Sequence, residues 1–340
     1  MRRFSCTHCG HDLFFDSLVC VGCGRAVGFD PAARTMRTAD ADGAFGPLKP
    51  CDNRDIIGCN FLSDGPLCVA CRHNRTIPDL SVPGHAALWT KLEAAKRVLF
   101  YSLLAWDLPR PTRAEDAAGL AFDFLADEVA ADGTVTPHLT GHAAGLITIN
   151  IAEGDDGERE RRRTAMGEPY RTLVGHFRHE IAHFYWDRLV APDAETLARC
   201  RAVFGDDRAD YGAALARHYE DGPRADWPQH HISAYAAAHP WEDFAETFAH
   251  YTHMVDGLET AIAFGAPLVP DEAAKNPYAA GSVEALISAW IPVTVAVNAI
   301  NRSMGQPDLY PFVVPPPVRE KLAVIHDIIR HSVSRSGGNT

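Results

Sequence analysis

Basic side chains are scarce in this chain of 340 residues: Lys and Arg total 32 against 44 Asp and Glu, a formal net charge of −12 with a pI near 5.7. A surface of that sign repels phosphate backbones, which excludes general nucleic-acid binding. Long apolar runs are also lacking. None reaches 18 residues, so no membrane span is expected, and Met1-Arg2-Arg3-Phe4 leads almost directly to Cys6 without a secretory signal. The expected location is the cytoplasm. Cysteine is nearly absent from most of the chain: of nine, only Cys200 lies beyond residue 71, and it reads as an ordinary packed or surface thiol.

The other eight cysteines crowd the head. Cys6-x2-Cys9, then ten residues, then Cys20-x2-Cys23-Gly24 makes two knuckles, each able to place two thiolates on one tetrahedral ion through a tight turn. Cys51, Cys59 and Cys68-x2-Cys71 form a second set with a looser first half. Eight thiolates suit two four-cysteine zinc sites, although pairing across the sets, or a site drawing on His8, His11 or His73, stays open. Disulfides are disfavoured in a chain without a secretory signal.

The most informative stretch lies further on, at His179-Glu180-Ile181-Ala182-His183. Four residues apart on a helix, His179 and His183 share a face and can bind one metal ion, with Glu180 projecting beside it. With 17 histidines the pattern can arise by chance, so its setting decides. Pro169 can open a helix and Pro192 can stop it, while Leu173, Phe177, Ile181, Phe184 and Leu189 give an apolar stripe beside the histidines. A catalytic zinc needs a third protein ligand and an open position. Trp186 and Leu189 stand where the metzincin pattern requires Gly and His, which removes that branch. Downstream, Pro240 can start a helix on which Glu242 and Glu246 share a face. The first carboxylate can ligate zinc and the second can hold the outer N–H of a ligating histidine; Asp243, Glu246, His250 and His253 are rival ligands.

HEIAH followed by SAYAAAHPWEDFAE resembles the Glu-zincin peptidases, specifically the anthrax-lethal-factor type, in which a Tyr stands seven residues before the Glu ligand of an ExxAE helix. Tyr235 stands seven before Glu242, and Glu242-Asp243-Phe244-Ala245-Glu246 fits ExxAE. The resemblance implies Glu242 as third ligand, Glu246 as the carboxylate behind a ligating histidine, and Tyr235 as oxyanion stabiliser. With its Cys-rich head, nearly the whole chain resembles the bacterial family of zinc-binding metallopeptidases that carry an N-terminal zinc ribbon.

The expected architecture is α+β: a zinc-ribbon module at 1–74, a linker at 75–84 rich in Pro and Gly, a mainly helical zincin-like (gluzincin) domain at 85–334, and a fraying tail at 335–340. The head has few large apolar side chains, so zinc should supply most of its order. Helical spacing covers Ala86–Trp106 and Arg113–Ala131, and helices are expected at Ser282–Ile300 and Val318–Ile329. Gly145–Ile151 alternates like a strand. In zincins such a strand forms a sheet edge along the cleft, where an extended peptide can add. His142 and His176 read as capping or packing residues, and the mixed cluster 158–163 as a solvated loop or helix end.

One catalytic and two structural Zn2+ ions follow, with a peptide or protein substrate and a protein partner for the ribbon. Metal-dependent peptide hydrolysis with Glu180 as general base is the expected function. Its rivals are a ribbon-based adaptor on a silent zincin scaffold, and a peptidase that cuts its own linker.

Overall fold

Tight Cys-x2-Cys turns support short hairpins rather than long strands, and the head is built that way in the computed structural model, which describes residues 1–129, 132–159, 161, 172–265, 276–310 and 313–336. β1 (Phe4–Ser5) pairs antiparallel with β2 (Asp12–Leu13), β3 (Val27–Asp30) with β4 (Thr35–Thr38), and β5 (Lys49–Pro50) with β6 (Leu62–Ser63); one helical turn, α1 (Arg54–Ile57), precedes β6. Gly10 and Gly24 each adopt φ of +74° and close a knuckle by donating to the Cys6 or Cys20 carbonyl at 2.8 Å. Glycine takes that left-handed turn without a Cβ penalty.

The head buries more apolar surface than its composition suggests. Phe4, Phe15, Phe29 and Phe61 are all buried, with Phe29 and Phe61 centroids 5.1 Å apart. Phe15 reaches Tyr101 at 5.2 Å on α2 (His85–Trp106), so the helix after the linker supplies part of the head's core. The aromatics are few but concentrated, which a count of apolar residues does not reveal.

A four-stranded sheet lies in the same part of the chain, ordered β11 (Gly141–Ala143), β12 (Leu146–Asn150), β8 (Ala121–Leu125), β7 (Asn74–Thr76). A separate hairpin joins β9 (Glu128–Val129) to β10 (Val135–Thr136). Three expectations need correction here. The stretch 113–131 is not a helix where it is described: its apolar residues at 121, 122, 124 and 125 fit either period, and Phe122 and Phe124 are buried on β8, paired to Ile147 and Ile149. Residues 130 and 131 lie outside the described residues. The strand read from 145–151 is real but interior, bonded to β11 on one side and β8 on the other, so it is not a sheet edge. Its pattern sets which face is buried but not how many neighbours it has. Arg75 and Thr76, read as linker, belong to β7 and pair with β8.

The chain divides into two compact units, Met1–Arg162 and Arg163–Thr340. In the second, α3 (Leu173–Tyr185) carries the HEIAH stretch. Thr172 caps it by accepting from Gly175 N at 3.0 Å, Pro169 lies outside the described residues, and a π-helical turn, Trp186–Val190, carries the chain on towards Pro192. Three further helices were not expected: α4 (Ala194–Phe204), α5 (Tyr211–Asp221) and the short α6 (Trp227–His230). α7 (Pro240–Ala263) starts at the proline as predicted. α8 (Val283–Ser303) and α9 (Pro316–Ser336) complete the unit; α9 takes in Arg335 and Ser336 of the expected tail, and 337–340 lie outside the described residues.

α7 is the spine of this unit. α3 packs on it through Tyr185 against Phe248 at 5.7 Å and Trp186 against Phe244 at 4.9 Å, and α9 reaches it through a Tyr251 hydroxyl to His326 Nδ1 contact of 2.8 Å. Arg178, beside His179 in the chain, pairs with Asp256 and donates to His253 Nδ1, tying the two site-bearing helices together. Among the described residues α8 alone is long and apolar enough to cross a membrane, although no run of 18 uninterrupted apolar residues exists; its Leu286, Ile287, Trp290 and Val293 are buried, and it packs on α7 and α9. Of the 158–163 cluster, Arg161 pairs with Glu158, as suits a solvated helix end, and 160, 162 and 163 lie outside the described residues.

Candidate metal centre

The eight head cysteines are all free thiols and fall into the two sets expected, Cys6, Cys9, Cys20, Cys23 and Cys51, Cys59, Cys68, Cys71, each with its sulfurs within 4.8 Å of one another. Sulfurs 2.3 Å from a tetrahedral zinc sit about 3.8 Å apart. The separations are 3.8 Å for Cys6–Cys23, 3.6 Å for Cys9–Cys20, 3.7 Å for Cys59–Cys68 and 3.8 Å for Cys59–Cys71, so both sets fit the ion. The histidines take no part in these groups: His8 and His11 are exposed, and His73 Nδ1 is engaged by the Leu120 carbonyl at 2.9 Å.

The second constellation joins α3 to α7. His179, His183 and Glu242 are buried, with ligand atoms within 4.8 Å of one another. Helical pitch puts the two Nε2 atoms 3.2 Å apart, close to the roughly 3.3 Å expected for nitrogens sharing a tetrahedral zinc. Glu242 Oε2 lies 2.9 Å from His179 Nε2, yet makes no hydrogen bond among the described residues. Two imidazole nitrogens and a buried carboxylate oxygen converging on one point make a donor set that fits zinc.

Behind the histidines the supports are in place. Glu246 Oε1 lies 2.7 Å from His179 Nδ1, and Glu246 Oε2 accepts from the Ser233 hydroxyl at 2.6 Å. Glu180 stands outside the ligand set, buried, with Oε1 3.3 Å from His176 Nε2. His176, read as a packing residue, thus faces the Glu180 carboxylate. His142 does cap a turn, accepting from Gly145 N at 3.0 Å. The rival ligands are engaged elsewhere: Asp243 with Lys321 at 2.6 Å, His250 with the Tyr310 hydroxyl, and His253 with Arg178 at 2.7 Å.

Two tyrosines complete the surroundings. The Tyr235 ring, on a short turn before α7, lies 5.9 Å from that of His179. Tyr211, the first residue of α5, donates to Glu242 Oε1 at 2.6 Å. Sequence reasoning missed Tyr211, Ser233 and Trp241, whose ring packs 4.0 Å from His183. Asp210 before Tyr211 is a helix-cap signal, but nothing local shows that the hydroxyl meets a carboxylate 31 positions away.

The electrostatics favour a cation at this point. Burial opposes charge on Glu242 and Glu246, but contact with His179 outweighs it and holds each carboxyl down at about 2. Burial likewise opposes charge on His179, and the two glutamates overcome it, raising the imidazole well above its ordinary value. Glu180 is lowered despite burial, through His176 and the neighbouring imidazoles, so it is an ionised base. Burial, with the charge of Glu242, pushes both tyrosines well above the ordinary phenol value and keeps them as donors.

The comparisons agree with this chemistry. A zinc-ribbon domain model matches residues 3–82, and the family described as "Putative zinc-binding metallo-peptidase" matches 85–328. Uncharacterized proteins of Mycobacterium bovis and of the CDC 1551 and H37Rv strains of Mycobacterium tuberculosis are each 43% identical over 336 residues, covering 97% of this chain and 95% of theirs. No solved structure matches. With the family model spanning most of its length after the ribbon, the chain belongs to this family of zinc-binding metallo-peptidases.

Proposed function

We propose that the protein is a zinc-dependent peptidase of gluzincin type, with His179, His183 and Glu242 holding the ion and Glu180 as general base. The observation that carries this reading is the placement of Glu180: buried next to the ligand set, excluded from it, and oriented by His176 at 3.3 Å. A scaffold that only bound metal would have no use for an ionised carboxylate held there.

Zinc, when bound, supplies a Lewis acid that lowers the pKa of water towards about 7 and polarises a carbonyl. Glu180 takes the proton of the attacking water as its oxygen bonds to the carbonyl carbon, then delivers it to the amine nitrogen as the C–N bond breaks. Tyr235 donates to the carbonyl oxygen as negative charge gathers there. Glu246 fixes the His179 tautomer by engaging Nδ1, which leaves Nε2 for the ion. The partners implied are a peptide or protein substrate and a protein bound by the ribbon.

Glu180→Gln should retain three zinc ions per chain and lose turnover of a fluorogenic peptide library by about 10³-fold. His179→Ala should lose one ion together with activity. Metal content and initial rates measure both, and wild-type turnover by Glu180→Gln would overturn the assignment.

A further inference from the structure

The two oxygens of Glu242 have different surroundings. Oε1 accepts the Tyr211 hydroxyl at 2.6 Å, whereas Oε2 is buried, takes no hydrogen bond among the described residues and sits 2.9 Å from His179 Nε2. We propose that Tyr211 is a positioning residue that reserves Oε1, so that Glu242 meets the ion through Oε2 alone and a coordination position stays open for water. This rests on the reading of His179, His183 and Glu242 as the catalytic zinc site.

The placement of Tyr211 is built rather than incidental. Asp210 accepts from Ala213 N at 2.9 Å and so starts α5 at Tyr211. A single imidazole, His239, ties that segment to the helix that carries Glu242: its Nε2 donates to the Ala209 carbonyl at 3.1 Å, and its Nδ1 accepts from Trp241 N at 3.1 Å. The Tyr211 ring then stands edge-on to His239 at 5.2 Å and to Trp241 at 5.8 Å, and Trp241 in turn covers His183. The hydroxyl is thus fixed by residues that also flank two of the ligands.

The chemical need is specific. A glutamate with both oxygens free can close on zinc with both, filling the place that water must take, whereas a catalytic site keeps that place open. Hydrogen bonds to ligating carboxylates are the usual means of orienting them, and losing one typically costs about 10- to 100-fold in affinity or activity. If Tyr211 served only to pack α5, its ring would suffice and phenylalanine would do as well.

The test is Tyr211→Phe in the full chain, with zinc left in the thiolate sites and the ion on His179, His183 and Glu242 exchanged for Co2+. The variant should keep the helical circular dichroism and the thermal unfolding of the wild type, which certifies its fold, and bind Co2+ with weaker visible absorption as the coordination number rises. On a fluorogenic peptide cleaved by the wild type, kcat should fall about 10-fold at unchanged KM. A Co2+ spectrum and kcat equal to wild type would overturn the role of Tyr211 while leaving the peptidase reading intact. Failure of the wild type itself to take up Co2+ at the three-ligand site would overturn both.

Discussion

Cys200 is the one cysteine outside the two metal sets, and burial pushes its thiol up to about 12. The thiolate is the reactive form, and at pH 8 only about one in 10⁴ such thiols is ionised. Iodoacetamide should therefore leave Cys200 unmodified in the native protein, and after chelation eight adducts should form before a ninth, as counted by intact mass. Labelling of Cys200 ahead of the others would show that it is accessible. At this scale the residues that sequence makes legible are those linked by helical spacing: His179 with His183, and Glu242 with Glu246. Tyr235 came through family resemblance. Tyr211, Ser233 and His239 were not legible, because each acts across a packing contact between elements rather than along one.

Among the elements, α7 holds Glu242 and must be held itself. Lys321 on α9 pairs with Asp243, the residue after Glu242, and both side chains are buried. Lys321 also donates to the His230 carbonyl at 2.7 Å. Removing one partner of a buried ion pair strands the other charge, so Lys321→Met should cost about 3 kcal/mol in denaturant unfolding of the zinc-loaded protein. A Lys321→Met, Asp243→Leu double replacement should recover most of that loss, and an additive or larger loss would show that the pair is not the cause. Long helices were readable, since α2, α7, α8 and α9 each sustain apolar spacing over many turns. Short elements were not. Ala121–Leu125 is too brief for its period to separate strand from helix, and the interior position of β12 depends on partners distant in sequence.

For the whole molecule, the mixed α/β class was legible in the spacing of apolar residues, whereas the compact units, 1–162 and 163–340, do not follow from the distribution of cysteine. What sequence could not convey is how little the linker separates. The head buries its aromatics against Tyr101, and Arg34 donates to the Ala105 carbonyl at 3.1 Å, both on α2 beyond the linker. Metal in the head therefore bears on the stability of a helix that belongs to the peptidase match.

The pairing of Asn74–Thr76 with Ala121–Leu125 bears on proteolysis at the linker. A nick anywhere from Ile77 to Gly84 would leave the N-terminal fragment lending its last strand to the other fragment's sheet, much as a donated strand completes a pilin. Protein clipped there, by itself or by a contaminating protease, should give two bands under denaturing conditions and elute natively as one species. Two native peaks would mean that the strand does not hold the pieces, and in that case cleavage would release the ribbon as a free product.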